Sequence, residues 1–241
     1  MTTARTRDTR PLASEIKFVV DAATGLRIRE WARARMDRDP FGVGPNGDEY
    51  RTTTLYFDTP QFHVFHRRGS YRRSKYRIRR YDGADVAYLE RKLRNARILT
   101  KRRGSVPLTE LSRLAHTLDG AWDGRWFHRR LQLRGLAPVC QISYTRMARV
   151  AARETGPIRL TVDQDIRTLV RRDVHFTTDG GRPTLQRRMV VELKFRAVMP
   201  AVFKQLVEEF RLTAHTVSKY RLAVVALNLA REETAANAAY A

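Results

Sequence analysis

Lys75-Tyr76-Arg77-Ile78-Arg79-Arg80-Tyr81 alternates basic and apolar side chains. Its two-residue period is that of a β-strand, so Lys75, Arg77 and Arg79 leave one face while Tyr76 and Ile78 leave the other. The pattern recurs in Glu15-Ile16-Lys17-Phe18, Tyr88-Leu89-Glu90-Arg91-Lys92, Arg159-Leu160-Thr161-Val162-Asp163 and Val190-Val191-Glu192-Leu193-Lys194-Phe195. A sheet of such strands carries charge on one side and apolar residues on the other. Many antiparallel sheets simply expose such a side to water. Clustered Arg and Lys mixed with a few carboxylates, however, suit a phosphate chain and its metal.

Further strands are expected at 51–58, 72–81, 86–93, 97–103, 138–148, 157–163, 166–173 and 187–195, with turn signals such as Asp82-Gly83-Ala84-Asp85 between them. Helical spacing points to helices at 22–36, 61–67, 107–118, 123–133, 200–210 and 217–231. Residues 1–12 read as a disordered basic arm and 232–241 as a flexible Ala-rich tail, leaving one domain over 13–231.

The 241 residues are 42% hydrophobic, enough for a substantial core. Lys and Arg number 47 against 25 Asp and Glu, a net charge of +22, which draws polyanions of any kind. The single cysteine, Cys140, excludes an internal disulfide and a cysteine zinc site and favours a reduced, cytoplasmic setting. No stretch approaches the ~20 apolar residues of a membrane-spanning helix.

The expected fold class is α+β: a closed antiparallel β-barrel of about eight strands, with helices packed outside. Ile16, Phe18, Ile78, Leu89, Leu160, Val162, Val191, Leu193 and Phe195 would face the helices, and the charged side would point inward. Such an interior cannot be dry, because each unpaired buried charge costs several kcal/mol. It would be a wet tunnel awaiting an anion.

Seven segments in order, Glu15-Ile-Lys17, Leu55-Tyr-Phe-Asp-Thr-Pro60, Arg77-Ile-Arg79-Arg-Tyr81, Leu89-Glu-Arg-Lys92, Arg159-Leu-Thr-Val-Asp163, Val191-Glu-Leu-Lys194 and Ser218-Lys-Tyr220, carry a family resemblance. Over residues 14–228 the chain resembles the polyphosphate polymerase domain of the vacuolar transporter chaperone complex, one of the triphosphate tunnel metalloenzymes. The resemblance implies a tunnel of antiparallel strands, a divalent metal (Mn2+ or Mg2+), and ATP and inorganic polyphosphate as substrates. Carried over by motif, Lys17, Arg77, Arg79, Lys92, Arg146, Arg159 and Lys219 are the implied phosphate ligands, and Glu192 the implied metal ligand. Lys75, Lys101 and Lys194, with Glu15 and Glu90, are secondary candidates for substrate contact. Either of those two glutamates is also a hard oxygen donor of the kind Mg2+ and Mn2+ prefer. Tunnel enzymes that hydrolyse triphosphates often open with Glu-x-Glu-x-Lys, whereas Ala13 stands two residues before Glu15. That departure leans toward a polymerase.

The implied reaction moves the γ-phosphate of ATP onto a growing polyphosphate chain. The alternatives are a tripolyphosphatase or triphosphatase in the same tunnel, and a polyphosphate-binding module without catalysis. Nucleic acid ranks lowest, since no recognition helix or base-stacking aromatic motif accompanies the charge. Family members often work beside membrane-embedded segments, so a separate membrane protein is a candidate partner, which would hold the chain at the inner face of a membrane. His63 and His66 lack an acidic companion for metal binding, and Asp163 and Asp165 are read as turn residues before metal ligands.

Overall fold

The computed structural model describes residues 6–11, 13–94, 98–153 and 156–230. The whole of the tail (232–241), the start of the arm (residues 1–5), residue 12 and the first residue of the strand expected from 97 lie outside these. In chain order the elements are β1 (Thr6–Pro11), β2 (Ala13–Asp21), α1 (Ala22–Arg35), β3 (Asp37–Arg38), β4 (Glu49–Asp58), β5 (Ser74–Tyr81), β6 (Val86–Arg94), β7 (Ile98–Pro107), α2 (Arg125–Leu133), β8 (Ala137–Ala151), β9 (Ile158–Val170), β10 (Arg182–Pro183), β11 (Arg188–Arg196), α3 (Ala201–Glu209) and α4 (Lys219–Ala226). Two 3-10 helices, Gly69–Arg73 and Leu108–Ala115, complete the described elements. Residues 6–11, read from sequence as part of the arm, form β1 along β7.

One antiparallel sheet runs β1-β7-β6-β5-β4-β8-β9-β11-β2, with β3 on β8 and β10 on β9. The expected closed barrel is corrected here. Among the described residues no ladder joins β2 back to β1 or β7, so hydrogen bonds do not close the sheet. It curls nonetheless: Lys92 Nζ on β6 lies 3.8 Å from Glu15 Oε2 on β2, six steps further along the strand order. Side-chain charge, rather than backbone, bridges the concave face.

The convex face is apolar, as the two-residue period requires, and is covered in two patches. Phe18, Leu160, Val162, Val191 and Leu193 pack with Ile28 and Trp31 of α1 and Phe203 and Leu206 of α3. Leu55, Ile78 and Leu89 pack with Phe127 and Leu131 of α2 and with Leu111. Each such side chain contributes about 1.5–3 kcal/mol when fully buried. α4 differs: Tyr220, Ala223 and Val224 meet Val190, Tyr56 and Ile142. Val190 has the parity of Glu192, so α4 lies across the concave side.

Three expected elements change form. Residues 61–67 are turns instead of a helix, because the fully buried Asp58 carboxylate accepts from the backbone of Thr59 (2.7 Å), Val64 (2.8 Å) and Phe65 (2.9 Å). The segment expected as helix over 107–118 is a 3-10 helix from Leu108 to Ala115. The strands expected at 157–163 and 166–173 are one strand, β9. Asp165 at φ 49° and a register shift opposite Ser143 and Thr145 absorb the irregularity without breaking the ladder.

Candidate functional site

Residues paired across antiparallel strands share a face, so the register itself assembles the site. On one wall Lys75, Lys92 and Lys101 align across β5, β6 and β7. Tyr56, Arg77, Glu90 and Arg103 form the next row, and Thr54, Arg79 and Tyr88 the one after. On the other wall Glu15, Lys194 and Arg159 align, then Lys17, Glu192 and Thr161, while Tyr50, Arg146 and Asp163 pair across β4, β8 and β9. Lys219 enters from the first turn of α4, whose cap is the Ser218 hydroxyl accepting from Arg221 N. Every site residue expected from sequence therefore reaches this one concave face.

Acidic side chains act as hubs within it. Glu90 takes Arg77 Nε at 2.6 Å, Lys101 at 3.1 Å and Arg103 at 3.4 Å. Asp163, with no solvent exposure, takes Arg146 through two parallel bonds of 2.6 and 2.8 Å and Lys219 at 2.5 Å. Glu15 lies 2.6 Å from Lys17, and Glu192 lies 2.6 Å from Lys194 and 3.8 Å from Lys17. Burial alone would raise all four carboxyls, but the neighbouring cations overcome it and hold each below its ordinary range. All four are anionic at neutral pH.

The cations divide by what faces them. Burial works to lower Lys17, yet Glu15 and Glu192 raise it above an ordinary lysine. Lys75 is pushed down to about 7, first by desolvation and then by the charges of Lys17, Lys92 and Arg77. Desolvation also lowers Lys92 and Lys101. Arg79 is buried and donates to the Thr54 hydroxyl at 3.3 Å and the Tyr144 hydroxyl at 3.4 Å. Arg159 donates to Tyr50 Oη at 2.8 Å and pairs with Asp39 at 2.9 Å. Together these cations outnumber the acids Glu15, Glu90, Asp163 and Glu192, and the excess is a standing demand for anionic charge.

Sequence reasoning missed several participants. Asp39 and Tyr50 come from the loop and strand around 37–50, where no alternation signals them. Tyr144 sits between Arg79, Arg146 and Lys219, with the Lys219 ammonium 4.9 Å from its ring centre. Asp58 and Tyr220 stand within the motifs, but nothing in the sequence assigns them a role. The Tyr220 hydroxyl donates to Asp58 Oδ2, which fixes the first turn of α4 and with it Lys219.

The residues suit a divalent cation only as part of a shared shell. Among the described residues no three His, Cys, Asp or Glu cluster as a ready cage. Glu192 and Glu15 nevertheless face one another's field beside the Thr161 hydroxyl, which is buried without a hydrogen-bond partner. Hard oxygen donors of this number fit Mg2+ or Mn2+, which complete their shells with water and substrate phosphate.

Residues 12–228 match the VTC domain family. The chain belongs to that family. The resemblance read from the ordered motifs over residues 14–228 is thereby borne out over its full span. No curated protein matches the chain. Among solved structures, a candidate adenylate cyclase from Bacillus halodurans superposes with TM-score 0.54 at 16% identity, covering 87% of this chain and 95% of its own. A candidate adenylyl cyclase from Hippeastrum, described as having a dominant triphosphatase activity, gives 0.50 at 13% identity, covering 90% and 97%. At these identities the likeness establishes the fold of this VTC domain. Among its described residues no helix is long and apolar enough to cross a membrane.

Proposed function

We propose that this VTC domain is a polyphosphate polymerase that uses ATP and a divalent cation. The observation that carries the reading is the shared register, which sets Lys17, Arg77, Arg79, Lys92, Arg146 and Arg159 on one concave face, with Lys219 added from α4. Phosphoryl transfer asks little covalent work of a protein. It needs the chains held in line and the developing charge neutralised. A terminal oxygen of polyphosphate attacks the γ-phosphorus of ATP, the bond to the β-phosphate oxygen breaks, and ADP leaves with that electron pair. Arg77, Arg79, Arg146 and Arg159 grip phosphate oxygens through paired N–H groups, and Lys17, Lys92 and Lys219 act as point charges. Glu192, with Glu15, would hold the divalent cation, which supplies further neutralisation when bound. Glu90 and Asp163 are positioning residues that aim their arginines.

Incubation with ATP and Mn2+ should yield long acid-labile phosphate chains, and Glu192→Ala should abolish them while sparing polyanion binding. No chains across metals and primers would sink the polymerase reading. A second reading is hydrolysis in the same tunnel, favoured by the triphosphatase activity described for the Hippeastrum protein. There water replaces the chain as acceptor, and orthophosphate released from tripolyphosphate without chain growth would select it. Catalysis in the cytoplasm beside a separate membrane partner belongs to the same proposal. Co-purification from a membrane fraction is its test.

A further inference from the structure

The two ends of the β4–β7 wall differ in kind. β5 runs from Lys75, in the row it forms with Lys92 and Lys101, to Tyr81. At that far end Tyr81 packs edge-on against Tyr50 of β4 and Tyr88 of β6, with ring centres 5.5 and 5.6 Å away. Tyr50 pairs with Arg146, Tyr88 pairs with Arg79, and Tyr81 has the parity of Arg79, so all three face the concave side. No local motif unites them, because they meet only through register. Each stays partly exposed, whereas Tyr56 and Tyr144 on the same face are buried, and Tyr56 already stacks on Tyr220. The Arg103 guanidinium of β7 lies 3.7 Å from the Tyr88 ring centre and donates to the Tyr81 hydroxyl at 3.5 Å. Thr52 lies between Tyr81 and Tyr144 in the register. Its side chain is 1% exposed, and its hydroxyl has no hydrogen-bond partner among the described residues. Packing alone does not ask for an orphaned buried hydroxyl, which valine, of nearly the same shape, would avoid.

We infer that this end of the concave face is a nucleoside site: Tyr50, Tyr81, Tyr88 and Arg103 hold the purine base of ATP, and the Thr52 hydroxyl bonds the polar edge of that base. The inference rests on the reading of ATP as substrate and deepens it by giving the nucleotide a direction. Polyphosphate is charged along its whole length and offers an aromatic ring nothing to pack on. The base is the one flat, apolar part of either substrate, and both tyrosine rings and guanidinium planes stack on bases. With the base at Tyr81, the triphosphate runs along β5 past Arg79 and Arg77. The acceptor chain then comes from Lys75, about 20 Å away at ~3.3 Å per residue. In-line transfer needs the acceptor and the leaving ADP on opposite sides of the γ-phosphorus. A base at one end and a chain at the other supplies that arrangement.

The test is binding, which needs no turnover. Calorimetry would compare the β,γ-imido analogue of ATP with ribose 5-triphosphate, which lacks the base, so that the ratio of the two affinities isolates the base. In the wild type the analogue should bind about tenfold more tightly. A ratio near one overturns the nucleoside site, even if every variant misfolds. Tyr81→Leu/Tyr88→Leu should bring the ratio close to one while ribose 5-triphosphate affinity stays unchanged, and a ratio that survives overturns the site. Thr52→Val should keep or raise the Tm yet lower the ratio about fivefold, whereas Thr52→Ser should restore it. An unchanged ratio in Thr52→Val overturns the assignment. Lys75→Met/Lys92→Met/Lys101→Met should leave the ratio as it is, and its collapse there would put the base at the lysine end and reverse the direction proposed. Arg146→Ala separates the two readings. Indifference of both ligands to it breaks the phosphate site itself, whereas equal weakening of both, with a wild-type ratio near one, breaks only the nucleoside site.

Discussion

The two walls of the concave face handle their charge in opposite ways. On β8 and β9, Asp163 is fully buried and takes a two-pronged Arg146 together with Lys219 at 2.5 Å, so the cations there are answered within the protein. On β5 to β7, Lys75, Lys92 and Lys101 stand side by side. Their nearest acids lie further off, Glu90 at 3.1 Å from Lys101 and Glu15 at 3.8 Å from Lys92, while Lys75 donates to the Ser218 hydroxyl at 3.4 Å. The first stretch is complete as folded and can aim its arginine beforehand. The second keeps an excess of positive charge. On the proposed function, folding builds one half of the site and substrate would finish the other.

The comparison is under most strain at Asp163. Asp163→Ala leaves Arg146 and Lys219 buried without their acid and should cost ~3–5 kcal/mol in urea unfolding. Lys75→Met, at the other stretch, should leave stability unchanged or raise it. Equal losses in the two variants would mean that the walls do not differ. Next in size is the response to ligand. Tripolyphosphate at about a hundred times its Kd stabilises by about 2.7 kcal/mol, a rise of about 5–10 °C in Tm for a chain of this length. Replacing Lys75, Lys92 and Lys101 together by Met should remove most of that rise while leaving the unliganded Tm intact. A rise of the same size in the triple variant would show that the lysine row is not awaiting an anion.

Acidity gives a smaller and more specific handle. Lys75, pushed down to about 7, is partly neutral in the free protein at physiological pH. A bound phosphate favours its charged form and raises its pKa, so binding takes up a proton above pH 7. Affinity is therefore full below pH 7 and falls by up to about tenfold per pH unit above it, until the pKa of the complex is passed. Calorimetry at pH 8 in buffers of different ionisation enthalpy counts that proton directly. Lys75→Met should take up less. Identical uptake in both proteins would place the titrating group elsewhere.

The parts of this arrangement legible in sequence were those governed by local period. Alternation at Lys75–Tyr81 and in its sister strands assigned the inner and outer side chains, because the pleat leaves no other choice. Closure was not legible: whether the last strand hydrogen-bonds to the first depends on accumulated curl, which no single strand encodes. Nor was the role of Asp58. The segment after it carries Phe62 and Phe65 at helix-like spacing, yet one buried carboxylate captures three backbone N–H groups and makes turns instead. Asp163 reads in sequence as one more acid near a turn, since the arginine it serves lies on the neighbouring strand.

The smallest expected effect tests the register on which both stretches depend. Arg79 and Arg80 are adjacent and equally charged, so composition cannot separate them. Arg79 pairs with Thr54, is buried, and reaches the Tyr144 hydroxyl on the concave side. Arg80 pairs with Thr53 on the other side and donates to the Ala84 carbonyl at 3.4 Å, closing its own hairpin. Arg80→Ala should change stability by less than about 0.5 kcal/mol and turnover by no more than about twofold, whereas Arg79→Ala should lose at least about tenfold in turnover, the equivalent of one 1.4 kcal/mol contact to the transferring phosphate. A reversed order would mean that the strand is read one residue out of phase. Every inward and outward assignment on β5 would then exchange, and the lysine row with them.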